Sequence, residues 1–159
     1  GASRFWAVII GIDGYKRYPL GSCVADALLM KTYLEKDLKV PINHIQLLLG
    51  RKHMPSNDPS IPSHDNIMNM LCSLISNPNI KKGDNIVIFF AGDGSSYTSS
   101  EYPRDALCPI NRDIVDVSGH KIPDISDQEI NTILYEISQA KGNQITIILD
   151  CCHSASITR

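Results

Sequence analysis

The sequence predicts an α/β fold: a mostly parallel sheet with helices on both of its faces. Two observations carry this. Four short runs, "FWAVIIGI" (5–12), "HIQLLLG" (44–50), "NIVIFF" (85–90) and "NQITIIL" (143–149), are apolar at nearly every position rather than at alternate ones. That is the pattern of strands buried on two sides. Between them lie segments with apolar residues at helical spacing, and strand–helix alternation calls for a parallel sheet with crossover helices.

Taken in order, residues 5–12 form a β-branched and aromatic first strand. "CVADALLMKTYLEKDL" (23–38) sets apolar residues at helical spacing against a charged face, which predicts an amphipathic helix, and Pro41 closes the region. The second strand ends at Gly50, and "RKHMPSNDPSIPS" (51–63), with three prolines, is expected to be loop. A helix then begins near Ser63 or Asp65 and buries Ile67, Met70, Leu71 and Leu74. "KKGD" turns into the third strand, expected to stop at Gly92-Asp93-Gly94. The polar, proline-containing stretch from 95 to 124 reads as a long loop of the kind that carries a site. Ser126 with Glu129 forms a capping box before the helical "INTILYEIS". In open parallel sheets ligands gather at the carboxyl ends of the strands. Asp93 and the run Asp150-Cys151-Cys152 both sit there.

Bulk properties narrow the function. The 159 residues fit one domain, 1–159, of which Gly1-Ala2-Ser3 reads as a cloning remnant. A formal charge of −2 gives no footprint for nucleic acid or anionic lipid. No apolar run reaches the roughly 20 residues of a membrane span, and neither a GxGxxG nor a P-loop follows the first strand. Five scattered cysteines, none in a CxxC pair, fit reduced thiols in a cytoplasmic or nuclear protein, with Cys72 expected in the core. The adjacent Cys151 and Cys152 are different, because an exposed cysteine at a strand end is a candidate nucleophile.

"AVIIGIDGY", "LGSCVADA", "FFAGDGSS", "ALCPINRD" and "ILDCCHSAS" together resemble the large-subunit half of caspase-type cysteine peptidases, of the fungal metacaspase kind. The likeness runs over nearly the whole chain. It implies the caspase-like three-layer fold and an endopeptidase cutting after arginine or lysine. The nucleophile position is Cys152, and the backbone N–H groups of Gly94 and Cys152 would form the oxyanion hole. By the same resemblance Cys23, Asp26, Ala91 and Asp150 belong to the substrate pocket; for Asp26, an ordinary helix-terminal charge is the alternative. Calcium serves many members, with Asp105, Asp124 and Asp127 as candidate ligands here and solvated loop acids as the other reading. The partners implied are protein substrates and a C-terminal small subunit of the same precursor, and the end at Arg159 fits processing after a basic residue. Ala155 stands where the family usually has glycine.

One residue departs from the pattern: Asp93 occupies the place of the catalytic histidine. A carboxylate, with a reference pKa of about 4, is a poor base at neutral pH and disfavours a neighbouring thiolate. The expectation is a strongly impaired enzyme. None of the five histidines is placed to substitute: His153 follows the nucleophile, His44 starts the second strand, and His53, His64 and His120 are expected in solvated loops. The competing readings are a non-catalytic interaction module and an α/β nucleotide-type domain.

Overall fold

The computed structural model describes residues 1–99 and 102–152, with side chains for 1–96 and 105–151. Its parallel sheet has the order β2-β1-β3-β6, built from β1 (Phe5–Ile12), β2 (Ile45–Gly50), β3 (Asn85–Ser99) and β6 (Ile145–Cys152). Helix α1 (Cys23–Thr32) covers one face; α2 (His64–Ser76) and α3 (Asp127–Lys141) cover the other. The three-layer expectation is met.

The pleat of β1 explains the two-sided core. Val8, Ile10 and Ile12 point toward α2 and α3, where they meet Ile67, Leu71, Leu74, Ile133 and Ile137. Ala7 and Ile9 point the other way, onto Val24 and Ala27 of α1. Each buried valine, leucine or isoleucine among them contributes about 1.5–3 kcal/mol by leaving water. α1 lies very close to the sheet: a Cβ on Gly11 would stand 2.6 Å from the Ala27 Cβ and 2.7 Å from the Cys23 carbonyl. Only glycine there, facing alanine, permits that approach.

The predicted elements are present, with three corrections. The helix expected over 23–38 is α-helical to Thr32 and continues as a π-turn over Tyr33–Asp37, which keeps Leu34 inside. The stretch from 95 is not all loop. β3 runs on to Ser99 and pairs antiparallel with β4 (Tyr102–Leu107), which pairs in turn with β5 (Ile125–Ser126). Its serines and threonine lack an apolar face, so the hydrophobic pattern could not reveal a strand held by its backbone ladder. Cys72 is exposed, not core, because it follows Leu71 by one helical step and so turns away from the stripe of Ile67, Leu71 and Leu74. The expected capping box is present, with Ser126 and Glu129 bonded reciprocally, and Ser63 caps α2 by accepting from the Asn66 N–H.

Candidate active site

β3 changes partners at its centre. Through Asp93 it pairs in parallel with β6, so Ala91 lies opposite Asp150, Gly92 opposite Cys151 and Asp93 opposite Cys152. From Gly94 onward it pairs antiparallel with β4, Gly94 facing Leu107. Asp93 therefore stands in mid-strand at the junction of two ladders rather than at a strand end, and it is only 5% exposed. The side chain of Cys152 and residues 153–159, among them His153, Ala155 and Arg159, lie outside the described residues.

Several groups fix Asp93. The Tyr15 hydroxyl accepts a hydrogen bond from the Asp93 backbone N–H (2.9 Å) and donates to the Cys108 carbonyl (2.8 Å). A Cβ on Gly92 would come within 2.6 Å of that hydroxyl, so glycine is required beside it. Burial holds the phenol protonated by raising its pKa far above the ordinary value. The Asp93 carboxylate lies 3.5 Å from Nη1 of Arg112. Arg112 in turn grips Asp124 with two groups, Nε at 3.1 Å and Nη2 at 2.8 Å, and the Ser95 hydroxyl donates to the same carboxylate at 2.8 Å. All three charged side chains are nearly buried, at 12% for Arg112, 7% for Asp93 and 11% for Asp124. Burial opposes the guanidinium's charge, but Cys108 and Asp124 raise its pKa on balance. Cys108 is no rival nucleophile: burial, with Asp124 next, pushes its thiol up to about 12.

A second acidic group joins the start of α1 to the end of β6. Asp26, in the first turn of α1, lies close to Asp150, and Asp13 is near enough to add its charge. Burial, and then repulsion from Asp150, raise the Asp26 pKa. Asp13 accepts from the N–H groups of Cys23 (2.9 Å) and Val24 (3.4 Å), so it caps α1 from the preceding loop. Like charges held together at a sheet edge favour a cation, and a guanidinium most of all.

The other sequence-derived candidates fall differently. Cys23 and Ala91 are buried between α1 and the sheet. Asp105, Asp124 and Asp127, the calcium candidates, each have a partner within the chain, and among the described residues no three His, Cys, Asp or Glu side chains are grouped to hold a metal ion. Asp124 is engaged by Arg112, Asp105 accepts from Ser96, and Asp127 accepts from the Gln128 N–H. Asp124 is thus not a solvated loop acid either. His64 opens α2 with its Nε2 buried, rather than sitting in a solvated loop, while His53 and His120 are exposed as expected. His44 stacks on Trp6, with ring centroids 3.6 Å apart.

Three residues went unassigned in the sequence: Tyr15, Asp13 and Arg112. Tyr15 and Asp13 belong to "GIDGY", whose role was invisible without the loop's fold. Arg112 left a trace, being one of only two cations among the four acids of residues 105–124.

Residues 6–159 match the family model described as metacaspase, peptidase C14 domain. The chain belongs to that family. It is 27% identical over 155 residues to Metacaspase-5 of Trypanosoma brucei brucei, covering 97% of this chain and 29% of that one. With Metacaspase-3 of Arabidopsis thaliana it shares 29% over 157 residues, 95% of this chain and 40% of the relative. Metacaspase-1A of Aspergillus oryzae matches at 26% over 151 residues, 94% and 34%. The chain thus spans less than half the length of these metacaspases. A crystal structure of a Geobacter sulfurreducens protein superposes with a TM-score of 0.66 over 93% of this chain and 50% of the other, at 14% identity, a likeness of fold alone. This metacaspase domain belongs to a family of cysteine peptidases, which act on protein substrates. No helix of the described residues is long and apolar enough to cross a membrane.

Proposed function

We propose that this metacaspase domain binds peptides through an arginine or lysine side chain and presents the following peptide bond to Cys152. The observation that carries the reading is the Asp26–Asp150 carboxylate pair beside Asp13, on the strand edge where Asp150 precedes the two cysteines. In the reaction, the Cys152 sulfur attacks the carbonyl carbon, the oxyanion takes hydrogen bonds from the Gly94 and Cys152 N–H groups, and the amine leaves with a proton. Water then releases the acyl group. The proton transfers need a base at position 93, and Asp93 is ill suited to them, so the domain as written is strongly impaired.

A second reading, a peptide-binding module without catalysis, draws support from the Arg112–Asp93 ion pair. That pair occupies the base position with a built, neutralising partner. A C-terminal small subunit is the proposed cover for β6. Among the described residues the outer edge of β6 is unpaired, Leu149 is 51% exposed, and an apolar groove of about 160 Å³ runs beside Leu107, Ile125, Leu134 and Ile147. Calcium is proposed as an accessory ligand of the domain, which the calcium arms of the assay below read. A cytoplasmic or nuclear setting is part of the proposal, supported by thiols at Cys23, Cys72, Cys108 and Cys151.

The test is direct: substitute Asp93→His, then measure cleavage of arginine and lysine peptides with and without calcium. Cleavage lost again on Asp150→Lys establishes both the chemistry and the pocket. Binding of arginine peptides by the parent, with no cleavage in the histidine variant, establishes the non-catalytic module instead.

A further inference from the structure

The loop after β1 carries opposite charges a few residues apart. Asp13 belongs to the acidic group, while Lys16 and Arg17 follow within four residues. The loop after β2 begins Arg51-Lys52-His53. Five basic side chains thus share two adjacent loops whose acids are Asp13 and Asp58, in a protein of net charge −2. All five are exposed.

The two loops are locked together. The N–H groups of Asp13 and Gly14 both donate to the Gly50 carbonyl, at 2.8 and 2.9 Å. A Cβ on Gly14 would stand 2.4 Å from the Arg51 carbonyl oxygen, so only glycine allows this contact. Between these loops and the segment leading to Arg112 lies a cavity of about 240 Å³. Lys16, Arg51 and His53 line it beside an apolar wall that includes Met54, Ile61 and Ile110, and no acid is among the lining residues. Ser63, the N-cap of α2, also lines it, but the helix start is not itself the anion site. The His64 N–H already donates to Asn111 (2.9 Å) and the Asn66 N–H to Ser63 (3.1 Å). The attraction for an anion comes from the side-chain cations alone.

We propose that this basic cavity binds acidic side chains of the peptide ligand, so that the domain selects a basic residue accompanied by an acidic run. This rests on the reading above for the basic residue: the acidic group and the cavity would hold two parts of one chain. A peptide is favoured over a free anion because the cavity adjoins Asn111, next to Arg112 of the candidate site, and opens from the loop that also supplies Asp13.

The experiment uses the protein with Asp93 in place and fluorescent peptides of three kinds: arginine in a neutral context, arginine with a run of glutamates on either side, and glutamates alone. At an ionic strength of about 0.01 M, where screening extends about 30 Å, the glutamate run should tighten binding at least about fivefold; at about 0.15 M most of that gain should vanish. Lys16→Gln with Arg51→Gln should remove the gain and leave the neutral arginine peptide unaffected. These side chains are exposed, so an unchanged melting temperature verifies the fold. A glutamate run that adds nothing, or a gain that survives the double substitution, overturns the proposal. Displacement of the run by inorganic phosphate at matched ionic strength would also overturn it, revealing a small-anion site. If only the neutral arginine peptide fails to bind, the acidic-pair reading falls, while binding of the glutamate peptide still supports the cavity.

Discussion

Replacing Asp93 with histidine changes both charge and chemistry at a crowded point, and the outcome can be reasoned from distances. Arg112 holds Asp124 through two contacts of 3.1 and 2.8 Å but touches Asp93 through one of 3.5 Å. Losing the Asp93 carboxylate therefore leaves the guanidinium paired. Two carboxylates around one guanidinium carry a surplus negative charge that a neutral imidazole removes, so the fold should tolerate the change within about 1 kcal/mol. A restored general base is worth about 10²–10⁴-fold. The variant should accordingly gain about a thousandfold in kcat/KM on arginine peptides, read by release of a reporter amine. Cys152 alkylation by iodoacetamide near neutral pH should be slow in the parent, faster in Asp93→Asn and fastest in Asp93→His. A gain below about tenfold in a variant that still binds arginine peptides would refute the catalytic reasoning. A parent whose Cys152 already reacts quickly at pH 6 would show that a cation such as Arg112 activates it.

Arg112→Gln leaves two nearly buried carboxylates without their cation and should cost about 3–5 kcal/mol, on the order of 10 °C in Tm, with partial recovery on adding Asp124→Asn. The raised pKa of Asp26 means that the folded state holds its proton more tightly than the unfolded chain. That stabilisation is complete below the ordinary value of 3.8 and lost as the pH rises through the raised one. Arginine-peptide affinity should climb through the same window, and Asp150→Asn should flatten both curves. Asp84 behaves in the opposite sense. Burial opposes its charge, but hydrogen bonds from the Lys81 N–H, Arg4 and Trp6 depress its pKa. Its stabilisation is present above 3.8 and lost as the pH falls through the lowered value, a loss that denaturant melts should show to be smaller in Asp84→Asn.

The parallel sheet and its helices were legible because burial on two faces leaves an unbroken apolar signature, as in residues 5–12 and 85–90. The antiparallel hairpin was not, since Ser95, Ser96 and Ser99 offer no hydrophobic period and their pairing depends on β4. Within the candidate site, Asp93 and Asp150 stood out as carboxylates at the ends of apolar runs. The meeting of Asp26 with Asp150 could be suggested by family resemblance but not by spacing, because α1 and β6 lie far apart in the chain. Arg112 was the largest omission. An arginine in a loop looks solvated until the fold closes Asp93 and Asp124 around it.

The pairing of β3 with β6 has a consequence for the order in which this domain acquires its chemistry. β6 is the last of the described strands, and the register of Asp150 against Ala91 and of Cys152 against Asp93 exists only once that strand has docked. Until β6 is synthesised, β1, β2 and β3 carry Asp13, Asp26 and Asp93 without Asp150 or Cys152 beside them. The juxtaposition of Cys152 with Asp93 is thus a late product of synthesis, set by the docking of β6 and not by any earlier element.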